Sequence, residues 1–376
     1  LVKLLNIMKI KKIKVKNLNS DYSVIIGKNI LKSISTEIKI VCPNAKKIAL
    51  VVDSKIPKKF INKLKIYLKK YDVYIFKYTV SEKFKSFSNV NKLAEKCLSN
   101  NFNRNDILIS FGGGILGDFC AFTASIIKRG INFINIPTTL LAQVDSSIGG
   151  KTGVNSNIGK NLIGTFYQPR LVISDVELLR SLPQRELICG YAEILKHSLI
   201  LKNNFFNWLK KYSRQILIDR NLNLLQESII KSCKIKLYFV NKDIHEKNIR
   251  MILNFGHTFA HAIEVKNNYS KRINHGEAVI MGMMIATKLS YLKKVCSLKT
   301  LKTLKEIYLS NNLNFDIKKF FKKSEHNKIV QYMLNDKKNN DKKINLILLK
   351  KIGQTTLPNS YKISSLELKK LFNKII

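Results

Sequence analysis

Acidic side chains are scarce in this chain: against 67 Lys and Arg, its 376 residues carry 25 Asp and Glu, a formal net charge of +42. Taken alone, so basic a balance points to nucleic acid or an anionic membrane surface. Arginine is scarce too, with 9 residues beside 58 lysines. Readers of bases and phosphates favour the bidentate guanidinium, whereas this lysine excess runs through nearly every segment alongside Ile and Asn. A clustered cationic face with aromatic stacking positions is missing, which weighs against a basic nucleic-acid binder. The surplus is read as compositional drift toward Lys, Ile and Asn. Cysteine is limited to Cys42, Cys97, Cys120, Cys189, Cys233 and Cys296, with no C-x-x-C and no metal-finger spacing, so a reduced, cytoplasmic protein is expected. No apolar run reaches the roughly 18 residues of a membrane span. Lysines interrupt the opening LVKLLNIMKIKKIKVK and no small-residue cleavage site follows it, which argues against a signal peptide and leaves Met8 as a candidate start. No linker rich in Gly, Pro or Ser divides the chain and no repeat recurs. Two domains packed closely around a cleft are therefore expected.

What is present fits a globular chain, with 45% apolar and 24% charged residues. Its length allows two domains. Runs rich in β-branched residues, KIALVV (47–52), VYIFKY (73–78), DILISF (106–111), INFINI (131–136) and LVIS (171–174), alternate with helical patterns. That alternation predicts an α/β fold with a mostly parallel sheet. The opening KIKVKNLNSDYSVIIG reads as an antiparallel hairpin. After about Leu179 the apolar residues recur at helical spacing, as in RELICGYAEILKHSLI and LNFGHTFAHAIE, so the second half is expected to be mainly helical. The polar segment DKKNNDKK reads as a turn before INLILL.

Two groups of residues carry candidate chemistry. Strand DILISF runs into Gly112, Gly113 and Gly114, then Ile115, Leu116, Gly117 and Asp118, followed by a helical pattern. Glycines there let a backbone approach a pyrophosphate at a helix N-terminus, although tight strand-to-helix turns also use them. The next strand ends in Pro137, Thr138 and Thr139, whose hydroxyls stand at the usual ligand side of such a sheet. Asp53 follows an earlier strand and suits either a ribose or a helix N-cap. The second group lies in the helical half. Three of six histidines, His257, His261 and His275, fall within 19 residues. His257 and His261 share a face at i and i+4, with Asn254 and Arg250 expected on the preceding turns of the same stripe. Glu193 interrupts an apolar face with Lys196 three residues on. Two imidazoles and a carboxylate match a catalytic zinc with one open position. His197, His245 and His326, in polar or Lys-rich contexts, read as surface residues.

The run GGGILGDFCAFTASIIKRGINFINIPTTLLAQVDSSIGGKTGVNSNIGKNLIGTFYQP, together with SLPQRELICGYAEILKHSLI, RMILNFGHTFAHAIE and HGEAVIMGM, closely resembles the 3-dehydroquinate synthase family of sugar phosphate cyclases. The resemblance extends from about Tyr22 to the C-terminal region. It implies a Rossmann-like NAD-binding domain over 1–178 and a helical metal- and substrate-binding domain over 179–376. It further implies a homodimer that uses NAD and zinc (or cobalt) to convert 3-deoxy-D-arabino-heptulosonate 7-phosphate to 3-dehydroquinate and phosphate in the shikimate pathway. Carried over residue by residue, the metal ligands would be Glu193, His257 and His275. The NAD site would take Asp53, Glu82, Lys85, Gly114, Ile115, Leu116, Gly117, Asp118, Thr138, Thr139, Lys151, Lys160, Leu178, Leu179, Arg180 and Ser181. Substrate contacts and catalysis would fall to Arg129, Asp145, Lys151, Lys160, Asn161, Lys196, Lys236, Arg250, Asn254 and His261, with Lys337 or Lys338 as a further cation. The chain departs from the family at Ala121 and Ala260, where glycines are usual, at Asp243-Ile244, where an acidic pair is usual, and at Lys55. Other readings are a deoxy-inosose or valiolone cyclase and an iron-type glycerol or alcohol dehydrogenase. Lys236 and Arg250 as a carboxylate clamp weigh against the first, and the KTGVN and GKN motifs against the second.

Overall fold

Strands β1 (Lys11–Val15), β2 (Tyr22–Gly27), β3 (Lys47–Asp53), β4 (Asp72–Tyr78), β5 (Ile107–Gly112), β6 (Asn132–Pro137) and β7 (Leu171–Asp175) form one sheet in the order β1-β2-β7-β6-β5-β3-β4. The computed structural model describes residues 10–16, 21–202, 204–268, 270, 272–334 and 343–376. The expectations at Met8, at Lys337 and Lys338 and at the DKKNNDKK turn lie outside those residues, as does the tip of the opening hairpin. All five runs expected as strands are β3 to β7, and their pairings are parallel. β1 and β2 pair antiparallel, and β2 joins β7 in parallel.

Alternation along the central strands explains why they read as unbroken apolar runs. Ile48, Leu50 and Val52 of β3 point into one core with Ile107, Ile109 and Phe111 of β5, while Ala49 and Val51 point into the other with Leu108. Both faces of a parallel sheet are covered, so neither needs polar side chains. The first core is closed by α1 (Ile34–Val41) and α2 (Lys58–Tyr67), the second by α3 (Phe87–Ser99) and α4 (Gly114–Ile126). Ser86 starts α3 by accepting a hydrogen bond from Asn89 N.

The chain divides into two compact units: one runs to Pro183 and takes in Leu225–Cys233, the other comprises Gln184–Leu224 and Lys234–Ile376. The second unit is built of α5 (Gln184–Ile200), α6 (Phe205–Leu217), the C-terminal part of α7 (Leu222–Lys242), α8 (His257–Lys266), α9 (His275–Leu292), α10 (Leu298–Ser310), α11 (His326–Leu334) and α12 (Ser365–Ile375). Among the described residues its strands are two short pairs, Lys343–Asn345 with Lys362–Ser364 and Leu349–Lys351 with Gln354–Thr355. α5 and α9 are buried along most of their length and form the centre of this unit, with α8 packed on α9. None of the six cysteines forms a disulfide, and all are buried. No helix among the described residues is long and apolar enough to cross a membrane.

Candidate metal and nucleotide sites

In the sheet unit the connections after β3 and β5 leave in opposite directions, β3 toward β4 and β5 toward β6. Adjacent strands with diverging connections open a crevice at their C-terminal ends. Asp53 ends β3, and Gly112 ends β5 immediately before the start of α4. Gly113 is the N-cap of α4, and no side chain caps that helix. Its first N–H groups are thus placed for an anion. Thr138 N donates to Gly112 O, and Thr139 Oγ1 accepts from Ala142 N, so both threonines border the same turn. Asp53 does not cap α2, whose N-cap is Pro57; its carboxylate turns back on Lys55 N.

Lys85 is the one buried cation among the described residues of this unit. Its ammonium lies 2.5 Å from Asp118 Oδ2 and 2.6 Å from Asn161 Oδ1, joining a residue expected at the nucleotide to one expected at the substrate. A second strand of contacts runs beside it. Lys160 pairs with Glu82 at 2.9 Å, and Asn155 donates to Glu82 O while accepting from Asn161 N. Asn161 sits at φ 55° and Arg129 at φ 64°, both in the left-handed region. Asp145 lies in a π-helical turn over Ala142–Ser146, and Lys151 is exposed on a bridge to Phe166. Leu178 and Leu179 are buried and Ser181 bonds locally to Leu178 O in the 3-10 turn Val176–Ser181, while Arg180 is exposed and pairs with Glu177.

In the helical unit three helices converge on one point. Glu193, in the middle of α5, is wholly buried. His257 and His275 are the first residues of α8 and α9. Their Nε2 atoms stand 3.5 Å and 3.7 Å from Glu193 Oε1. Donor atoms of all three residues lie within 4.8 Å of one another. Each ring turns its other nitrogen outward: Nδ1 of His257 faces Phe255 O at 3.4 Å, and Nδ1 of His275 faces Glu264 Oε2 at 3.4 Å. Two glycines make the convergence possible. Gly256, at φ +80°, turns the chain into α8. Gly276 brings α9 so close to α5 that an added Cβ would lie 2.3 Å from Cys189 Cα. Asn274 and Glu277 close a capping box at the start of α9.

Electrostatics of the trio follow from burial and charge. Burial opposes ionisation of Glu193, but the Lys196 ammonium against Oε2, together with His275, holds its carboxyl well below the usual carboxylate range. For His275 burial disfavours the cation, yet Glu264 and Glu193 outweigh it and lift the imidazole to about 10. His261 stacks edge-on to His257 with ring centres 5.4 Å apart.

Several expectations need correction. Arg250, Asn254 and His257 do not form one helical stripe. Arg250 and Asn254 lie in a 3-10 segment, Ile249–Asn254, which Phe255 and Gly256 separate from α8. Arg250 is buried; its guanidinium donates to Ile244 O and its backbone N to Asp243 Oδ2. His197 and His326 are buried, not on the surface, His326 facing Asn373 and Phe372. His245 is exposed as expected. Lys236 is buried on α7. Two carboxylates escaped the sequence reading: Glu246, whose Oε1 accepts from Asn254 Nδ2 at 2.7 Å, and Glu264 beside His275. Their available signals were an acid four residues before Arg250, and an acid two turns after His257 on one helix.

Residues 75–189 match the family model described as 3-dehydroquinate synthase N-terminal, and residues 190–339 the one described as 3-dehydroquinate synthase C-terminal. The chain is 50% identical to a 3-dehydroquinate synthase of Pelagibacter ubique, over 91% of this chain and 93% of the relative. A 3-dehydroquinate synthase of Dictyoglomus thermophilum is 46% identical over 74% and 76% of the two chains. Among solved structures, a 2-deoxy-scyllo-inosose synthase complexed with carbaglucose-6-phosphate, NAD+ and Co2+ superposes with a TM-score of 0.86 at 26% identity, covering 97% of this chain and 100% of that one.

Proposed function

The chain belongs to the 3-dehydroquinate synthase family, and from that premise we propose that it converts 3-deoxy-D-arabino-heptulosonate 7-phosphate to 3-dehydroquinate and phosphate. The convergence of Glu193, His257 and His275 carries the reading. A buried carboxylate and two imidazoles with Nε2 inward and Nδ1 tied elsewhere fit zinc or cobalt, both borderline cations that accept mixed nitrogen and oxygen donors. Such an ion would be held by these three residues and would acidify the substrate hydroxyls. The uncapped turn at Gly113 and Gly114, with Asp53, Asp118, Thr138 and Thr139 around the crevice, fits a dinucleotide that supplies a reversible hydride acceptor.

The remaining residues bind and move protons. His261, beside His257, is placed to relay the proton of the hydroxyl being oxidised. Arg129, Lys151 and Asn161 would hold the phosphate, whose own oxygens take the neighbouring proton as it leaves. Lys196, Lys236, Arg250 and Asn254 would orient the sugar acid, and the buried cations Lys236 and Arg250 favour a substrate that carries a carboxylate. That preference separates the proposed activity from the deoxy-inosose type of cyclase. Six buried cysteines without a disulfide support a reducing, cytoplasmic setting, and a homodimer is part of the same reading. The test is phosphate release from the heptulosonate phosphate: it should require NAD, stop on exhaustive chelation, return with zinc or cobalt, and leave no net NADH. Arg250→Ala should lower kcat/KM by about tenfold or more on that substrate and much less on a matching sugar phosphate without the carboxylate. Steady NADH accumulation, or activity surviving metal removal, would overturn the proposal.

A further inference from the structure

We propose that Glu264 is a positioning residue of the metal centre, fixing which nitrogen of His275 faces the ion and how basic that nitrogen is. The inference rests on the metal reading above and extends it to a residue outside the ligand set.

Glu264 lies two turns after His257 on α8, hence on the same face of the helix that carries one ligand, and it reaches across to the first residue of α9. Its Oε2 is 3.4 Å from His275 Nδ1, on the opposite side of the ring from Glu193, which stands 3.7 Å from Nε2. A neutral imidazole ligates through the nitrogen that carries no proton, so a fixed acceptor at Nδ1 assigns the proton there and leaves the Nε2 lone pair pointing inward. His257 receives the same treatment from a backbone carbonyl, Phe255 O. The two ligands therefore differ in their outer partners. A carbonyl dipole orients His257, whereas a carboxylate, only 13% exposed, orients His275 and adds negative charge that makes its Nε2 a stronger donor. His275 needs the firmer partner because it is the more exposed of the two, at 29% against 12%. Nothing of this kind is required for packing alone, since an apolar or neutral side chain would fill the same place between the helices.

The experiment compares the full chain with Glu264→Gln, Glu264→Ala, Glu264→Asp and His275→Ala. Zinc dissociation constants are measured by competition with a chromogenic chelator at neutral pH, alongside the visible spectrum of the cobalt form and the melting temperature of each metal-free protein. Outer partners of metal-bound histidines typically contribute about 10- to 100-fold in affinity. Glu264→Ala is expected to weaken zinc binding by that factor and Glu264→Gln, which keeps an acceptor oxygen but no charge, by about tenfold. Glu264→Asp should recover part of the loss, and the cobalt spectrum should shift in the Ala variant. Metal-free melting temperatures should fall by the same small amount in Glu264→Gln and Glu264→Ala, since both lose the ion pair with His275. Zinc affinities within twofold of the parent, or metal-free melting that falls in Glu264→Ala but not in the near-isosteric Glu264→Gln, would overturn the proposal by showing no role or one of packing. Stoichiometric zinc in the parent that His275→Ala abolishes keeps the metal reading standing in either case. A parent that binds no zinc removes both.

Discussion

Lys196→Met isolates the counter-charge of the buried carboxylate. Glu193 is fully buried and Lys196 is 2% exposed, one turn apart on α5. Replacing the ammonium by an apolar side chain of similar length leaves packing nearly intact but removes the closest cation from Glu193. Breaking a buried pair in this way costs about 3 to 5 kcal/mol. The low end, about 3 kcal/mol, is expected here, because His275, held protonated in the metal-free protein, also faces Glu193. Lys210–Glu306 supplies an internal standard: its partners are 54% and 59% exposed at 3.1 Å, and such a pair contributes about 0 to 1 kcal/mol. The assay is urea unfolding of metal-free protein at pH 7 for Lys196→Met, Lys210→Met, Glu193→Gln and the double variant Glu193→Gln/Lys196→Met. The double variant should be more stable than Lys196→Met, since it removes the stranded charge as well. Zinc added in excess should narrow the gap between Lys196→Met and the parent, because the ion takes over as counter-charge. If Lys196→Met loses no more than Lys210→Met, the carboxylate has other compensation and the electrostatic account of the trio fails.

Lys85→Met should raise KM for NAD and for the sugar phosphate together, each by about tenfold, because one ammonium holds both Asp118 and Asn161; an effect confined to the nucleotide would break that link. The segment 243–250 should loosen in acid. Asp243 accepts hydrogen bonds from the N–H groups of Lys247, Asn248 and Arg250; burial opposes its ionisation, but these bonds hold its carboxyl below the ordinary aspartate value. A depressed carboxyl contributes stability above its unfolded pKa, about 4, and loses it as the pH falls further. Pepsin should therefore begin to cut within 243–250 at a lower pH in the parent than in Asp243→Asn, which lacks the carboxylate at every pH. The same onset of cutting in the two proteins would refute it.

The sheet was legible because each of its central strands is buried on both faces, so that IALVV and ILISF carry no competing helical period. The start of α9 carried a signal that the sequence reading did not use: Asn274 and Glu277 stand at capping spacing before an apolar run. The stripe from Arg250 to His257 misled because MILNFGHTF keeps helical spacing through Phe255 and Gly256, and the left-handed turn at Gly256 leaves the apolar periodicity unchanged. His197 and His326 were misplaced because neighbouring lysines coloured their surroundings; which face of α5 or α11 is inward depends on tertiary packing that a window of sequence does not contain. Glu246 and Glu264 were missed because each meets its partner across a stretch of non-helical backbone, Asn254 eight residues on for one and His275 eleven residues on for the other, too far for neighbours on one helix face.

The three candidate ligands sit at the heads of two helices and the middle of a third, more than 60 residues separating Glu193 from His257. An unfolded chain therefore presents no local chelate of the kind that two histidines one helical turn apart would offer if both were ligands. On the proposed metal reading, an ion cannot template the fold, and its capture follows assembly of α5, α8 and α9. During that interval Lys196 acts as a resident surrogate cation: it lets a carboxylate be enclosed before any ion arrives. Metalation then becomes an exchange of one counter-charge for another. The price of that arrangement is that lysine and metal compete for Glu193, so the occupied fraction during biosynthesis depends on free metal supply instead of on the folding rate.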